Sequence, residues 1–306
     1  MKCSLKVMLF ICLLTFAVGE PALSEPVDLS HLTSQQQSLL NEHVYGGLPG
    51  ISNIYIRNAY VLSYNCYTRT PDWVAYHIKP DYRNTPQRKG KFKIFRDDPD
   101  NQIEPADTDY VGLLHSKGYA RGHLAPYGIM GGDRDGDGQV AVYGNGNTSD
   151  PDDEQTIFQG NYMSNIAPQH HSGFNGAPGL WWKLERWIQD VLVTGQGKEV
   201  WIFDGCIFGP GEHEKVGPSK DIWVPPMFYK LVIIPKDQSQ QPNVLAFLFP
   251  HQRVAHGKIE DFLVSIDVIE ALTGENFFSE LGEDAQASLE NKDTWTVWKE
   301  LEFKSD

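Results

Sequence analysis

The chain is expected to fold as a single α+β domain with a central, mainly antiparallel sheet flanked by helices. Short, nearly continuous apolar runs recur at Glu199 to Phe208, Phe228 to Ile234 and Val244 to Phe249, each bounded by Gly, Pro or Asn, as buried strands tend to be. Few helical segments separate them. No composition shift, internal repeat or low-complexity linker marks a boundary within the 306 residues, so one core is implied, not two.

Met1 to Lys6 is short and basic, and Val7 to Val18 is an apolar run too short to span a bilayer comfortably. Ala17 and Gly19 meet the small-residue rule, so residues 1–19 read as a signal peptide, with cleavage after Ser24 as the alternative. The mature product is then expected to be secreted, extracellular or periplasmic, with no membrane attachment. Residues 20–51 form a lead-in, in which Leu32 to Val44 has helical spacing behind Thr33 or Ser34 as N-cap and ends at Tyr45 to Gly50. Residues 52–306 form the main domain. Asn53 to Asn65 alternates polar and apolar residues and Trp73 to Ile78 answers it across a polar turn, which predicts a β-hairpin. Leu180 to Thr194 and Phe262 to Thr273 read as helices, closed by Gly195 and Gly274. Trp181, Trp182 and Trp187 are expected to anchor the first of these to the sheet.

Acidic residues outnumber basic ones 40 to 26, a net charge of −14, which argues against generic affinity for nucleic acid. The charge is uneven. Arg83, Arg88, Lys89, Lys91, Lys93 and Arg96 are close together and could face a polyanion, or could form a solvated charged loop. Two cysteines lie beyond the leader, Cys66 and Cys206; in a secreted chain they are either bridged or two buried thiols.

Chemistry concentrates between Lys117 and Trp187. Arg121 can clamp a phosphate and His123 can act as a base near neutral pH; in an extended chain this spacing points both side chains to one face. Gly122 between them would let a substrate backbone come close. Asn161, Asn165 and Asn175 offer neutral ligands or donors that suit a hard, water-rich cation such as Mg²⁺ better than zinc. Together they suggest phosphodiester hydrolysis.

Three segments in order, Ala120-Arg121-Gly122-His123, Ser164-Asn165-Ile166, and Asn175 ahead of Trp181-Trp182-Lys183-Leu184-Glu185, resemble the DNA/RNA non-specific endonucleases of the ββα-metal class, the family that includes endonuclease G. The likeness runs from about Ser52 to Leu289. It implies a ββα-metal active-site motif, Mg²⁺ as cofactor with Mn²⁺ as substitute, DNA and RNA as substrates, and products with 5′-phosphate and 3′-hydroxyl ends. By that resemblance His123 is the general base, Asn175 the one direct protein ligand to Mg²⁺, Glu185 the holder of metal-bound water, and Asn165 an orienting residue. Arg121 would neutralise charge on the phosphorane. Arg96 matches a family arginine by position, with a surface ion pair as the alternative, and Arg88, Lys89 and Asn161 join the substrate-binding set. A homodimer is a further expectation. Two departures stand out: the family aspartate is Ala120 here, and Asn175 lies ten residues before Glu185 where eight is usual.

Residues 127–155 form an acidic, Gly/Asp-rich insertion in which Asp133, Asp135 and Asp137 have the spacing of a calcium loop. Position twelve falls on Gly144 instead of a glutamate, so the alternatives are a structural Ca²⁺ completed by later acids such as Asp150, Asp152, Asp153 or Glu154, and a solvated acidic loop. Asn147-Thr148-Ser149 is a glycosylation sequon. A non-catalytic extracellular binding protein of the same fold and a hydrolase of another phosphodiester are the competing functions.

Overall fold

The structure, a computed structural model, describes residues 26–101, 104–134, 136–139, 151–236, 241–254, 256–291 and 293–302. The predicted leader, the sequon and residues 135 and 140–150 of the acidic insertion lie outside these. Helix α1 (Ser34–His43) opens the fold. It starts where Thr33 accepts from the Gln36 amide at 3.2 Å and the Gln36 side chain accepts from the Thr33 amide at 2.9 Å, so both free amides at the turn are satisfied. Strands β1 (Ile54–Arg57), β2 (Tyr60–Asn65) and β3 (Thr70–Ile78) follow as an antiparallel meander. The predicted hairpin is therefore three strands. Arg57 pairs with Tyr60 across Asn58-Ala59, a two-residue turn that the alternating pattern runs straight through.

Helix α2 (Leu113–Lys117) leads into a hairpin of β4 (Tyr119–His123) and β5 (Ile166–His170), with α3 (Pro151–Gly160) between them in sequence. A wide helical turn, His171–Asn175, then passes to α4 (Leu180–Arg186), which continues as a broader helix over Trp187–Gly195. Beyond it come β6 (Val200–Ile207), the small pair β7 (Lys215–Val216) and β8 (Ile222–Trp223), β9 (Met227–Ile234), β10 (Asn243–Pro250) and β11 (Leu263–Val264). Helices α5 (Ile266–Thr273), α6 (Glu283–Glu290) and α7 (Thr294–Glu302) close the chain. The helix expected from Phe262 starts instead at Ile266, because Leu263 and Val264 pair with Phe247 and Ala246 as an edge strand. Gly274 ends it at φ 77°, a left-handed conformation that glycine adopts without strain.

Seven strands form one antiparallel sheet in the order β1-β2-β3-β6-β9-β10-β11. Both faces are covered, so the central strands read as unbroken apolar runs. Val74, Ile202, Phe228, Val232 and Phe247 face a layer made by the β4-β5 hairpin, α4 and α7, and Trp181 of α4 is fully buried against Phe228 and Phe249. On the other face Trp73, Phe203, Leu231 and Ile233 pack under Leu40 of α1, Ile266 and Ile269 of α5, Phe277 and Phe278. Cys66 and Cys206 are free thiols, which resolves the alternatives left open by sequence. Among the described residues no helix is long and apolar enough to cross a membrane.

Phe203 contributes only to the face turned away from α4, against Trp73, Phe277 and Phe278. Phe203→Ala is expected to lower unfolding free energy by about 3–5 kcal/mol while kcat at low temperature is unaffected. Urea denaturation beside a turnover assay checks both halves.

Candidate active site

The hairpin of β4 and β5 sets the geometry. Strand alternation puts Tyr119, Arg121 and His123 on one face and Ala120 and Gly122 on the other. Gly122 proves to face the interior: a Cβ there would lie 2.1 Å from the side-chain oxygen of Gln169, which is fully buried. Its small size serves packing, not substrate approach as its place between Arg121 and His123 suggested. Ala120, at the position of the family aspartate, shares that inner face.

His123 is 9% exposed, and its Nε2 lies 3.2 Å from Oδ1 of Asn161. The orientation of this amide is fixed by its other end, since Nδ2 of Asn161 donates to the carbonyls of Phe92 (3.1 Å) and Ile157 (3.4 Å). The oxygen therefore faces the imidazole, Nε2 carries the proton, and Nδ1 keeps its lone pair. Burial, reinforced by the Arg88 charge, pushes the imidazole down to about 3 against the pull of the Asn161 bond, so the ring is neutral.

Phe95 lies 5.4 Å from the His123 ring, and two guanidiniums lie against it. Arg88 is 4.8 Å from its centroid and Arg121 5.3 Å. Arg88 also donates to Asn161 Oδ1 at 3.2 Å, and Arg121 is held from behind by Asp107 through an ion pair to Nε and a 2.7 Å bond to the backbone oxygen. Arg96 is not part of this group. Its guanidinium donates to the carbonyls of Ile94 (2.6 Å) and Lys91 (2.9 Å) and stacks 4.1 Å over Phe158, while its backbone bonds to Asn161 and Met163.

The basic stretch is thus divided among separate tasks. Arg83 pairs with Asp190 and Lys91 with Glu154, whereas the Lys89 and Lys93 side chains have no partner among the described residues. Asn165 is fully buried, and its amide is used up on both sides by Ala125, at 2.9 Å each way, and by Gly160 at 3.1 Å. It braces the chain where it leaves His123.

Asn175 ends the wide turn closed by the Gly176 amide on His171 O at 2.7 Å, and that turn packs against both β4 and α4. Its own amide is half-buried and makes no hydrogen bond among the described residues. Glu185 on α4 is 15% exposed, and its Oε1 is buried without a hydrogen bond, with the Lys230 ammonium 3.8 Å away. Burial pushes this carboxyl up to about 7, with Lys230 opposing the rise and Asp204 adding to it. A free amide oxygen and an unsatisfied carboxylate oxygen are the donors a hard cation takes, so these residues fit Mg²⁺.

In the acidic loop both carboxylate oxygens of Asp133 accept amides of Gly136 (2.7 Å) and Gly138 (2.9 Å), and Asp137 is bonded by Gln139 through its amide and its side chain, both at 2.7 Å. Asp153 folds back onto this loop and accepts from the Arg134 amide at 3.2 Å. Asp135 lies outside the described residues. The Asp133 and Asp137 carboxylates are thus hydrogen-bonded within the loop.

A histidine-bearing antiparallel strand pair followed by a carboxylate-bearing helix is the arrangement of a ββα-metal nuclease. The sequence profile of the DNA/RNA non-specific endonucleases matches residues 41–284. A nuclease of Serratia marcescens is 30% identical over 248 residues, 79% of this chain and 82% of its own length. Human mitochondrial nuclease EXOG is 28% identical over 262 residues, 80% of this chain and 61% of its own. Among solved structures, a chain in the crystal structure of an EndoG/EndoGI complex superposes with a TM-score of 0.64 at 22% identity, covering 86% of this chain and 99% of that one. This chain therefore belongs to the DNA/RNA non-specific endonuclease family, metal-dependent hydrolases whose substrates are nucleic acids.

The buried imidazole has a measurable signature. An unfolded histidine titrates near 6.5 and His123 near 3, so between those values the unfolded chain holds a proton that the folded chain lacks, and stability falls as pH falls. His123→Asn removes this contribution. Below about pH 6 its stability relative to the parent is expected to rise by up to about 1.4 kcal/mol per pH unit, read from urea midpoints.

Proposed function

We propose that the chain hydrolyses phosphodiester bonds in DNA and RNA with His123 as general base, Arg121 and Arg88 on the phosphate, and Mg²⁺ held through Asn175 and, by way of water, Glu185. The observation that carries this reading is the pinned His123–Asn161 pair. It leaves a neutral imidazole with Nδ1 unprotonated, which is the state a base must be in before it takes a proton from water. Nε2 keeps its proton on Asn161 throughout, so the ring does not turn as Nδ1 is charged. Arg121, braced by Asp107, and Arg88, braced by Asn161, supply fixed donors as charge builds on the phosphoryl oxygens. Bound Mg²⁺ would supply further positive charge to the phosphate, and Mn²⁺ is expected to substitute.

Guanidiniums and a phenyl ring next to the base offer contacts to phosphate and to any stacked surface but no pattern that reads base edges, in keeping with non-specific cleavage. The exposed Lys89 and Lys93 extend the positive surface past the site. The basic start and apolar run at the N-terminus support export as the route to extracellular or periplasmic substrate.

His123→Ala is expected to abolish cleavage of plasmid and RNA while binding persists, and Asn175→Ala to lose activity that excess Mg²⁺ or Mn²⁺ only partly restores. Full activity in either variant, or in EDTA, overturns the reading. Salt gives an independent check on the basic residues. Affinity for duplex DNA should fall with a log–log slope of roughly −0.9 per neutralised phosphate. Lys89→Ser with Lys93→Ser should flatten that slope and raise KM, whereas Arg121→Ser or Arg88→Ser depresses kcat, because those contacts strengthen in the transition state.

A further inference from the structure

Three polar side chains interrupt the otherwise apolar sheet face beneath α4. Tyr76 on β3, Asp204 on β6 and Lys230 on β9 point the same way from adjacent strands, with Asp204 and Lys230 directly opposite in the register. Lys230 is fully buried. Its ammonium lies 2.6 Å from Asp204 Oδ2 and 2.9 Å from the Tyr76 hydroxyl, and Tyr76 in turn donates to Asp204 at 2.9 Å. Two of its three N–H bonds are thereby accounted for. The remaining side faces α4, where the Trp181 ring centroid is 4.0 Å away and Glu185 Oε1 3.8 Å away.

A lysine is expensive to desolvate, and one buried only to match Asp204 could be exchanged, together with Asp204, for uncharged groups at little cost or some gain. The arrangement holds one cation between two carboxylates. Asp204 has both Lys230 and Tyr76 on its bonded oxygen, whereas Glu185 Oε1 has no hydrogen bond, and Lys230 is its one ion-pair partner among the described residues. We propose that Lys230 is a positioning residue for the nuclease reaction, holding the Glu185 carboxylate in place from underneath the helix. The assignment rests on the reading of Glu185 given under the proposed function. Asp204 and Tyr76 keep the lysine extended toward α4.

Four variants separate this from a purely structural role, each assayed for kcat, KM for DNA, Mg²⁺ requirement and melting. Lys230→Met is expected to lower kcat about 10- to 100-fold, as loss of a support behind a metal site does, to raise the Mg²⁺ requirement, and to leave KM for DNA nearly unchanged. Because that variant strands Asp204 and could fail to fold, Lys230→Met with Asp204→Asn removes both charges; it should regain stability but not kcat. Asp204→Asn alone, whose amide oxygen can still accept from the ammonium, should lose far less kcat than the double variant. Recovery of kcat in the double variant, or a loss in Asp204→Asn as large as in the double, overturns the assignment, since Lys230 would then serve only Asp204. Glu185→Gln guards the premise: if it cleaves at full rate, the reading of Glu185 fails, and if it is slow while the double variant is fast, Lys230 alone is misassigned.

Discussion

The site depends on one side-chain amide. Asn161 follows α3 and spends its nitrogen on carbonyls of that helix and of the basic turn at Phe92, so its oxygen has a single direction in which to point. The state of the His123 ring follows from that direction: which ring nitrogen is protonated, where the lone pair lies, and where Arg88 is held. The acidic insertion between β4 and β5 is tolerated because its far end re-enters the fold as α3, the helix that delivers Asn161. A hairpin whose strands are far apart in sequence is closed by the element that orients its catalytic residue.

Two kinds of buried polarity coexist in the layer under α4. Around Asn165 every donor and acceptor is matched, and that amide serves rigidity alone. Around Glu185 and Asn175 the matching is incomplete, with an unbonded carboxylate oxygen and an unbonded amide within one helix–turn unit. An unsatisfied buried carboxylate oxygen is unfavourable in an isolated fold, and a cation expected beside Glu185 gives it a reason to persist. The remaining charge in that layer is that of Lys230, paired with Asp204 and close to Glu185.

Much of this was legible in the sequence because it is written in short-range pattern. The sheet strands announce themselves as apolar runs, Thr33 caps α1, Gly274 closes α5, and the three motifs occur in order. What was not legible depends on partners distant in the chain. The turn at Asn58-Ala59 carries neither glycine nor proline, so the meander reads as one hairpin. The resemblance offered Arg96 for the phosphate beside Arg88, but after the short helical turn at Gly90–Lys93 it is Arg88 that reaches Asn161, while Arg96 folds onto its own loop. Gly122 seemed to make room for substrate until Gln169 was found on its inner side. Phe95 and Asp107, which hold the arginines, carry no motif at all, nor does Tyr110, whose ring centroid lies 5.7 Å from the Arg121 guanidinium. Lys230 did leave a trace, as the one charge within Met227–Ile234, and Asp204 another within Val200–Ile207.

The contact between Gly122 and Gln169 also bears on how the enzyme fails. The hairpin has no slack on its inner side, where the glycine backbone sits directly on a fully buried side chain, and its outer side is locked by Asn161 and Asp107. Such a hairpin cannot loosen by itself without opening the layer beneath it. Inactivation on heating is then a single cooperative event shared with the core, not an early fraying of the catalytic strands. A nuclease built this way works at full rate up to the edge of its melting transition and stops there.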